Sequence, residues 1–339
     1  MASRIFTVLA ASSVVFLPIS CSRRSTTAEV VVYTSVDRPY SEPVLKRFQE
    51  GTGIRVKAVY DLEAAKTTGL VNRLIAEKEH PQADVFWNGE FVQTLLLKEE
   101  GVLSPYASPE EEDATFRDPE SFWTGFGGRA RVFLVNTELL AEDDFPSSVF
   151  DLLDPRRSPE TFGVAHPLFG TTATHAAALY ALMGPDEARS FFSALRQRGV
   201  QILEGNAAVR DAVVHGRIEA GLTDTDDACG AIRRGEKVAA VFPDQEDGEL
   251  GTLVIPNTVA VIRGGSNPEE AKKLVDFLLS TDTEEALLES GWFQISTRGL
   301  APSSGCVLPP VSRTMQVELP QVFQALDLAR RDLAEIFVR

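Results

Sequence analysis

The pattern of apolar and polar positions in the first hundred or so residues alternates between strand-like runs and helical spacing. Strands are predicted at 29–33, 54–60 and 84–87, and helices at 41–50, 69–78 and 91–100. Each strand is followed by one helix. This order is typical of a parallel sheet covered by helices, so the chain is predicted to be an α/β protein.

After a strand at 129–136 the alternation starts again. Further strands are predicted at 162–165, 200–203, 220–223 and 253–262, with helices at 170–183, 185–197, 206–214, 268–279, 283–288 and 319–337. The last third has too few new strands for a third sheet, so the chain is expected to leave a first lobe and return to it. The crossover strands 129–136 and 253–262 predict a hinge between lobe 1 (29–130 and 257–339) and lobe 2 (131–256).

Polar side chains stand where the first three strands end. Tyr33, Thr34 and Ser35 close the first strand, Asp61 follows the second, and Glu90 follows the third. Ligands of open α/β sheets bind at the carboxyl ends of the strands. These five residues are therefore candidate ligand contacts.

Two helix starts in the second half are candidate anion sites. Gly170, Thr171 and Thr172 open one helix, where free N–H groups and two hydroxyls suit a phosphate-like group. Asn206 and Arg210 lie at the start of the helix at 206–214, and Arg210 is expected to add a charge-assisted bond. The alternatives are a simple tight turn for the first start and an N-cap role for Asn206.

Three carboxylates fall within four residues after the strand at 220–223. Asp224, Asp226 and Asp227 are hard oxygen donors, suited to cations such as Fe³⁺, Mn²⁺, Mg²⁺ or Ca²⁺. They are predicted metal ligands, facing Asp61 and Glu90 across the cleft. One of them is expected to cap the following helix instead, and an ammonium group of an organic ligand is a further option.

The N-terminus predicts export. Arg4 precedes a short apolar run, 5–19, that ends in Ser20 and Cys21. The run is too short for a spanning helix and is typical of a signal peptide, 1–21. Cys21 is the predicted lipid acceptor, with 22–28 as a tether, although Pro18 stands where such signals usually carry Leu. A plain signal peptide is the alternative, and either places the protein in the periplasm or at the cell surface.

Composition excludes several function classes. The net charge of −16 argues against nucleic acid as a partner, because phosphate backbones are held by Lys and Arg. The sequence contains no P-loop, dinucleotide fingerprint, nucleophile elbow or zinc-hydrolase motif, so no enzyme activity and no cofactor are expected. The spacing of Cys229 and Cys306 does not decide between a disulfide bond and two unpaired thiols.

Several separated segments resemble the ferric-iron-type solute-binding proteins of bacterial ABC importers. They are Val-Val-Tyr-Thr-Ser-Val-Asp at 31–37, Thr-Gly-Ile-Arg-Val at 52–56, Ala-Asp-Val-Phe-Trp-Asn at 83–88, Gly-Val-Leu-Ser-Pro at 101–105, and the crossover strands at 129–137 and 255–260. The resemblance implies a two-lobed type II periplasmic-binding-protein fold and a monomer. It also implies delivery of a captured ligand to an ABC permease and its ATPase.

The chain departs from that family at the ligand. The best-known members hold iron(III) with two adjacent tyrosines, which are expected near Thr225 and Asp226, yet no tyrosine follows Tyr180. The histidine that some members carry in the first lobe is also missing near Val36 and Asp37. Two ligand classes stay open. One is a hard metal such as iron(III) with a synergistic anion, narrowly favoured by the acidic residues. The other is a small organic anion such as an aminophosphonate or a sugar phosphate.

Overall fold

The computed structural model describes residues 28–61, 68–111, 116–300, 306, 308 and 311–338. The predicted signal peptide with Cys21, and the tether up to residue 27, lie outside the described residues. Among the described residues, no helix combines the length and the apolar character that a membrane-spanning helix requires.

The described residues alternate between strands and helices as the sequence predicts. The strands are Glu29–Thr34 (β1), Arg55–Tyr60 (β2), Val85–Asn88 (β3), Leu103–Ser104 (β4), Thr124–Asn136 (β5), Phe162–Ala165 (β6), Gln201–Leu203 (β7), Ala220–Asp224 (β8), Val238–Val241 (β9) and Val254–Ile262 (β10). The helices are Arg38–Thr52 (α1), Thr68–Ala76 (α2), Val92–Glu99 (α3), Gly170–Met183 (α4), Pro185–Arg198 (α5), Asn206–Val214 (α6), Thr225–Arg233 (α7), Pro268–Leu279 (α8), Thr281–Ser290 (α9) and Leu319–Phe337 (α10). Strands β4 and β9 are additions that the sequence pattern did not indicate.

The strand β5 joins two sheets. Its first half pairs with β10, which continues through β3 and β1 to β2, and its second half pairs with β8 and β9. On one side β1 is parallel to β2 and β3, and on the other β6 is parallel to β7 and β8. Both parallel units predicted from the sequence are therefore present. Strand β5 begins five residues before its predicted start at 129.

The two longest strands, β5 and β10, both depart from regular strand geometry where Gly128 pairs with Pro256. Gly127 takes a positive φ of 47°, and Gly128 pairs with Pro256, next to a register shift at Asn257. The ring of Phe293 lies directly over Gly127, since a Cβ there would come 2.0 Å from its Cδ2. The carbonyl of Gly128 accepts hydrogen bonds from the N–H groups of Gln294 and Ile295. Only glycine fits this backbone and this contact.

The last helix, α10, covers helices of the second half of the chain. It packs against α4 and α5, and its apolar stripe is buried there: Val322, Leu326, Ala329 and Leu333. Helix α4 is rich in alanine and threonine, and every residue from Thr171 to Tyr180 is buried, because α10 covers the face that would otherwise meet solvent. The predicted lobe boundaries stay a prediction, and they do not anticipate this contact.

Cys229 and Cys306 form a disulfide bond. Their Cα atoms are 5.3 Å apart, and the bond joins α7 to a residue 77 positions further along the chain. Of the two alternatives that the sequence left open, a disulfide bond or two thiols, the structure shows the disulfide bond.

Candidate ligand-binding site

A cavity of about 440 Å³ lies where β1 and β2 end and α1 begins. Its lining residues are Thr34, Ser35, Val36, Asp37, Arg38, Pro39, Tyr40, Tyr60 and Asp61. The structure therefore brings together three of the predicted contacts: Thr34, Ser35 and Asp61. Sequence reasoning gave no contact role to Asp37, Tyr40 or Tyr60, although Asp37 and Tyr40 lie just past the first strand.

Tyr33 faces away from this cavity, because successive side chains of a strand point to opposite faces. Its ring is fully buried in the core, and its hydroxyl donates to a carboxylate oxygen of Glu77 at 3.0 Å. Burial, followed by the hydrogen bond to Glu77, raises the pKa of Tyr33 to about 12. Tyr33 therefore does not line the cavity and is a core residue, as the alternation of side chains along β1 requires.

Glu90 is buried, lies just before helix α3 and does not line the cavity. Its two carboxylate oxygens accept hydrogen bonds from the N–H groups of Val92 at 2.7 Å and Gln93 at 2.9 Å. Burial raises the pKa of Glu90 above its ordinary value. Glu90, which was predicted to contact a ligand, instead accepts hydrogen bonds from the first N–H groups of α3.

Asp224 is held by the chain's own donors. Its carboxylate accepts hydrogen bonds from Arg131 Nη1 at 2.5 Å, Thr171 Oγ1 at 2.6 Å and Asn206 Nδ2 at 2.9 Å. Asp224 is 1% exposed and Arg131 is fully buried. The predicted anion contacts Thr171 and Asn206 thus bind a carboxylate of the protein itself. Asn206 is the first residue of α6, and Gly205 is the N-cap, so the N-cap alternative for Asn206 is wrong.

Of the other residues at the start of α4, Gly170 is exposed and Thr172 is buried. Gly170 opens α4 with a φ of 54°, and the hydroxyl of Thr172 lies 3.4 Å from Asn206 Oδ1. Both residues stay candidate contacts at this edge.

Asp226 and Asp227, in the first turn of α7, each contact an arginine. Arg129 Nη1 lies 3.1 Å from an oxygen of Asp226, and Arg210 Nη1 donates to Asp227 at 2.7 Å. Arg129 also donates through Nη2 to the carbonyl of Gly89 at 2.8 Å. The sequence predicted the three aspartates as metal ligands. In the structure a metal ion would have to displace guanidinium groups.

Arg129 and Arg131 were missed as site residues, although the sequence carries a signal for them. They are two positions apart in an otherwise apolar strand, so both side chains point to the same face of β5. Strand β5 is antiparallel to β8, and the register pairs Arg131 with Asp224. Two charges on one face of a buried strand demand opposite charges nearby, and the segment 224–227 supplies them.

Aromatic contacts join the cavity to the aspartate–arginine pairs. The ring of Tyr40 lies 5.0 Å from that of Trp292, and the guanidinium of Arg129 lies 4.8 Å from the Trp292 centroid. Burial and then the nearby charge of Asp226 raise the pKa of Tyr40. The cavity wall and the first turn of α7 therefore belong to one cleft, with Trp292 and Arg129 between them.

The ionised form of Asp227, in the first turn of α7, is disfavoured despite its contact with Arg210. Burial, followed by the charges of Asp226 and Asp224, raises the pKa of Asp227 to about 7. A positively charged group placed beside Asp227 would relieve this repulsion. Among the described residues, no three His, Cys, Asp or Glu side chains are grouped so as to hold a metal ion.

The raised pKa of Asp227 predicts a pH dependence of the ligand-free protein. A carboxyl with a raised folded-state pKa contributes stability that is present below its unfolded pKa of about 4 and lost as pH rises through about 7. We expect Asp227→Asn to reduce the loss of thermal stability between pH 5 and pH 8. Exposed Asp143→Asn is the control. If the melting temperature depends on pH equally in wild type, Asp227→Asn and Asp143→Asn, Asp227 does not have a raised pKa in the folded protein.

Residues 28–293 match the family model described as bacterial extracellular solute-binding protein. The chain belongs to this family. A curated relative of this solute-binding protein is the major ferric iron-binding protein of Neisseria meningitidis serogroup B, 27% identical over 314 residues, 89% of this chain and 93% of the relative. Another, from Salmonella typhimurium, is named for 2-aminoethylphosphonate binding and is 23% identical over 269 residues, 79% of this chain and 77% of the relative.

Solved structures give the fold. Iron-bound HitA from Pseudomonas aeruginosa matches with a TM-score of 0.79 and 24% identity, over 90% of this chain and 99% of that one. AfuA from Actinobacillus pleuropneumoniae, with fructose-6-phosphate bound, matches with a TM-score of 0.75 and 22% identity, over 91% of this chain and 98% of that one. The two-lobed periplasmic-binding-protein fold is confirmed, and the solute-binding protein is not an enzyme. The relatives' names cover a metal and two organic phosphorus compounds, so family membership does not fix the ligand.

Proposed function

We propose that the protein is the extracytoplasmic receptor of an ABC importer and that its ligand is a small organic zwitterion, carrying an acidic group and an ammonium group. One observation carries the choice of ligand. Two aspartate–arginine pairs, Asp226 with Arg129 and Asp227 with Arg210, stand at one cleft beside a cavity of about 440 Å³. Cavities of this size suit small ligands.

Paired charges of both signs complement a ligand that carries both signs. An ammonium group beside Asp226 and Asp227 would lower the pKa of Asp227, and an acidic group would take the remaining N–H donors of Arg129 and Arg210. Both arginines are only partly exposed, with 11% and 23% of the side-chain surface accessible, so such contacts would be shielded from water. The neighbouring rings of Tyr40 and Trp292 would close one side of the ligand.

Iron(III) is the second candidate. In its favour, the cavity is lined by carboxylates and phenols, those of Asp37, Asp61, Tyr40 and Tyr60, and the ferric-binding relatives align over most of the chain. Against it, burial raises the pKa of Tyr60 as it does that of Tyr40, which disfavours the phenolate form that binds iron. The guanidinium groups on Asp226 and Asp227 also oppose a highly charged cation.

The clamp would close through contacts between the proposed lobes, 29–130 with 257–339 and 131–256. Arg129 with Asp226 is one such contact, and Arg233 donating to the carbonyl of Gly291 at 3.3 Å is another. Opening at the bend near Gly127 would separate them and release the ligand to a permease and its ATPase. We further propose a periplasmic or cell-surface location with a lipid on Cys21, and a monomeric receptor.

A thermal-shift screen tests the ligand class. The purified protein would be treated with chelator, dialysed, and melted with 2-aminoethylphosphonate, other amino acids and aminophosphonates, fructose-6-phosphate, and ferric citrate. A ligand at 100 times its dissociation constant adds about 2.7 kcal/mol of stability, which gives a clear midpoint rise. A rise with zwitterions alone supports the proposal. A rise with ferric citrate that chelator reverses would assign the site to iron.

A further inference from the structure

Three helices begin at one edge of the second sheet. Strands β6, β7 and β8 are followed, after at most four residues, by α4, α6 and α7. In none of these helices does the side chain of the N-cap residue accept a hydrogen bond from the helix. Helix N-termini carry partial positive charge and N–H groups without intrahelical partners. The buried guanidinium of Arg131 lies at the same edge.

The carboxylate of Asp224 is placed among these positive groups. It is the N-cap residue of α7, yet its side chain does not cap that helix and turns to Arg131, Thr171 and Asn206 instead. These three donors come from β5, α4 and α6, so one carboxylate holds together four elements, including its own. This set of donors is what an oxyanion would otherwise require.

We propose that Asp224 is a built-in anion: a positioning residue that fills an oxyanion cradle formed by Arg131, Thr171 and Asn206, so that the receptor binds its ligand without a companion inorganic anion. The inference does not depend on whether the ligand is a zwitterion or a metal. It separates the role of Asp224 from that of Asp226 and Asp227, which face the cleft.

The burial of the pair makes an anion obligatory at this place. Arginine side chains stay protonated in proteins, and that of Arg131 is fully buried with no hydrogen-bond partner on Nε. Removing the carboxylate leaves an uncompensated buried charge, which is strongly destabilising. Removal also leaves a space lined by one guanidinium, a hydroxyl and an amide, which a small oxyanion can enter.

The test is rescue of Asp224→Ala by small anions. Purified wild type, Asp224→Ala and Asp224→Asn would be melted in chloride, formate, acetate and phosphate at matched ionic strength. We expect the melting midpoint of wild type to be the same in all four anions. We expect the midpoint of Asp224→Ala to lie well below that of wild type in chloride and to rise by several degrees in formate or phosphate, with saturation at millimolar concentration.

Two comparisons keep the result decisive. Asp247→Ala removes the partner of Arg313 from an exposed pair, and it is expected to show no rescue. If Asp224→Ala yields no folded protein in chloride, its refolding yield in formate against chloride gives the same readout, and Asp224→Asn, which keeps the shape and loses the charge, is melted in parallel. An equal change of the melting midpoint with added anion in wild type and both Asp224 variants would overturn the proposal. So would an affinity of wild type for 2-aminoethylphosphonate or for ferric citrate that rises with added phosphate.

Discussion

Reduction of the disulfide bond between Cys229 and Cys306 is expected to lower the free energy of unfolding by roughly 2–4 kcal/mol. The bond links residues that are 77 positions apart, so it removes many conformations from the unfolded chain. It also ties helix α7 to Cys306, beyond helix α9. Thermal or denaturant unfolding with and without a reductant measures the effect.

The same bond has an expected effect on ligand binding. Cys229 lies in α7, within one turn of Asp226 and Asp227, so reduction frees the helix that carries both carboxylates. We expect weaker ligand binding in the reduced protein at temperatures well below its melting point. The double variant Cys229→Ser, Cys306→Ser is the control, because it should match the reduced wild type and ignore the reductant. Unchanged stability after verified reduction would contradict the prediction.

Gly127→Ala is expected to destabilise the protein by roughly 3 kcal/mol, from the strain of a left-handed backbone and from overpacking. The φ of Gly127 is 47°, and the new Cβ would lie 2.0 Å from Cδ2 of Phe293. The bend in β5 cannot accept the methyl group unless Phe293 leaves its place. Chemical unfolding of the variant measures the loss.

A matched glycine serves as the control. Gly51 lies in helix α1, and a Cβ added there would meet no neighbouring group within 4 Å, so Gly51→Ala is expected to be neutral or to stabilise by up to about 1 kcal/mol. Phe293 is a buried core residue, so Phe293→Ala is itself destabilising, but Gly127→Ala should cost less in the Phe293→Ala background than in wild type, because the clash is gone. A Gly127→Ala protein as stable as wild type would show that the bend does not need glycine.

The order of elements and the edge that carries the site were predictable from the sequence. Alternation of strand-like and helical spacing predicted both parallel units, and the ends of β1 and β2 lie at the cavity as expected from Ser35 and Asp61. These features depend on local patterns, which a single sequence contains.

The partners of the charged residues were not predictable in the same way. Asp224 meets Arg131 across a separation of 93 residues, and the carboxylate of Glu90 accepts hydrogen bonds from the first turn of α3 and from Thr174 of α4. Such choices depend on strand register and on side-chain direction, which spacing alone does not give. The pair of arginines in the apolar strand β5 is the sequence signal that points to the partners of Asp224 and Asp226.

Titration calorimetry on chelator-treated protein tests the central claim most directly. The ligands are 2-aminoethylphosphonate, ethylphosphonate without the amine, ethanolamine without the acid, and ferric citrate, each with wild type and with Asp226→Asn. The account predicts that only the zwitterion binds wild type well, and that Asp226→Asn weakens it by about 1.5–3 kcal/mol, roughly ten- to a hundredfold, as loss of a charge-assisted bond does. Equal binding of ethylphosphonate, or tight binding of iron with no heat from 2-aminoethylphosphonate, would contradict it.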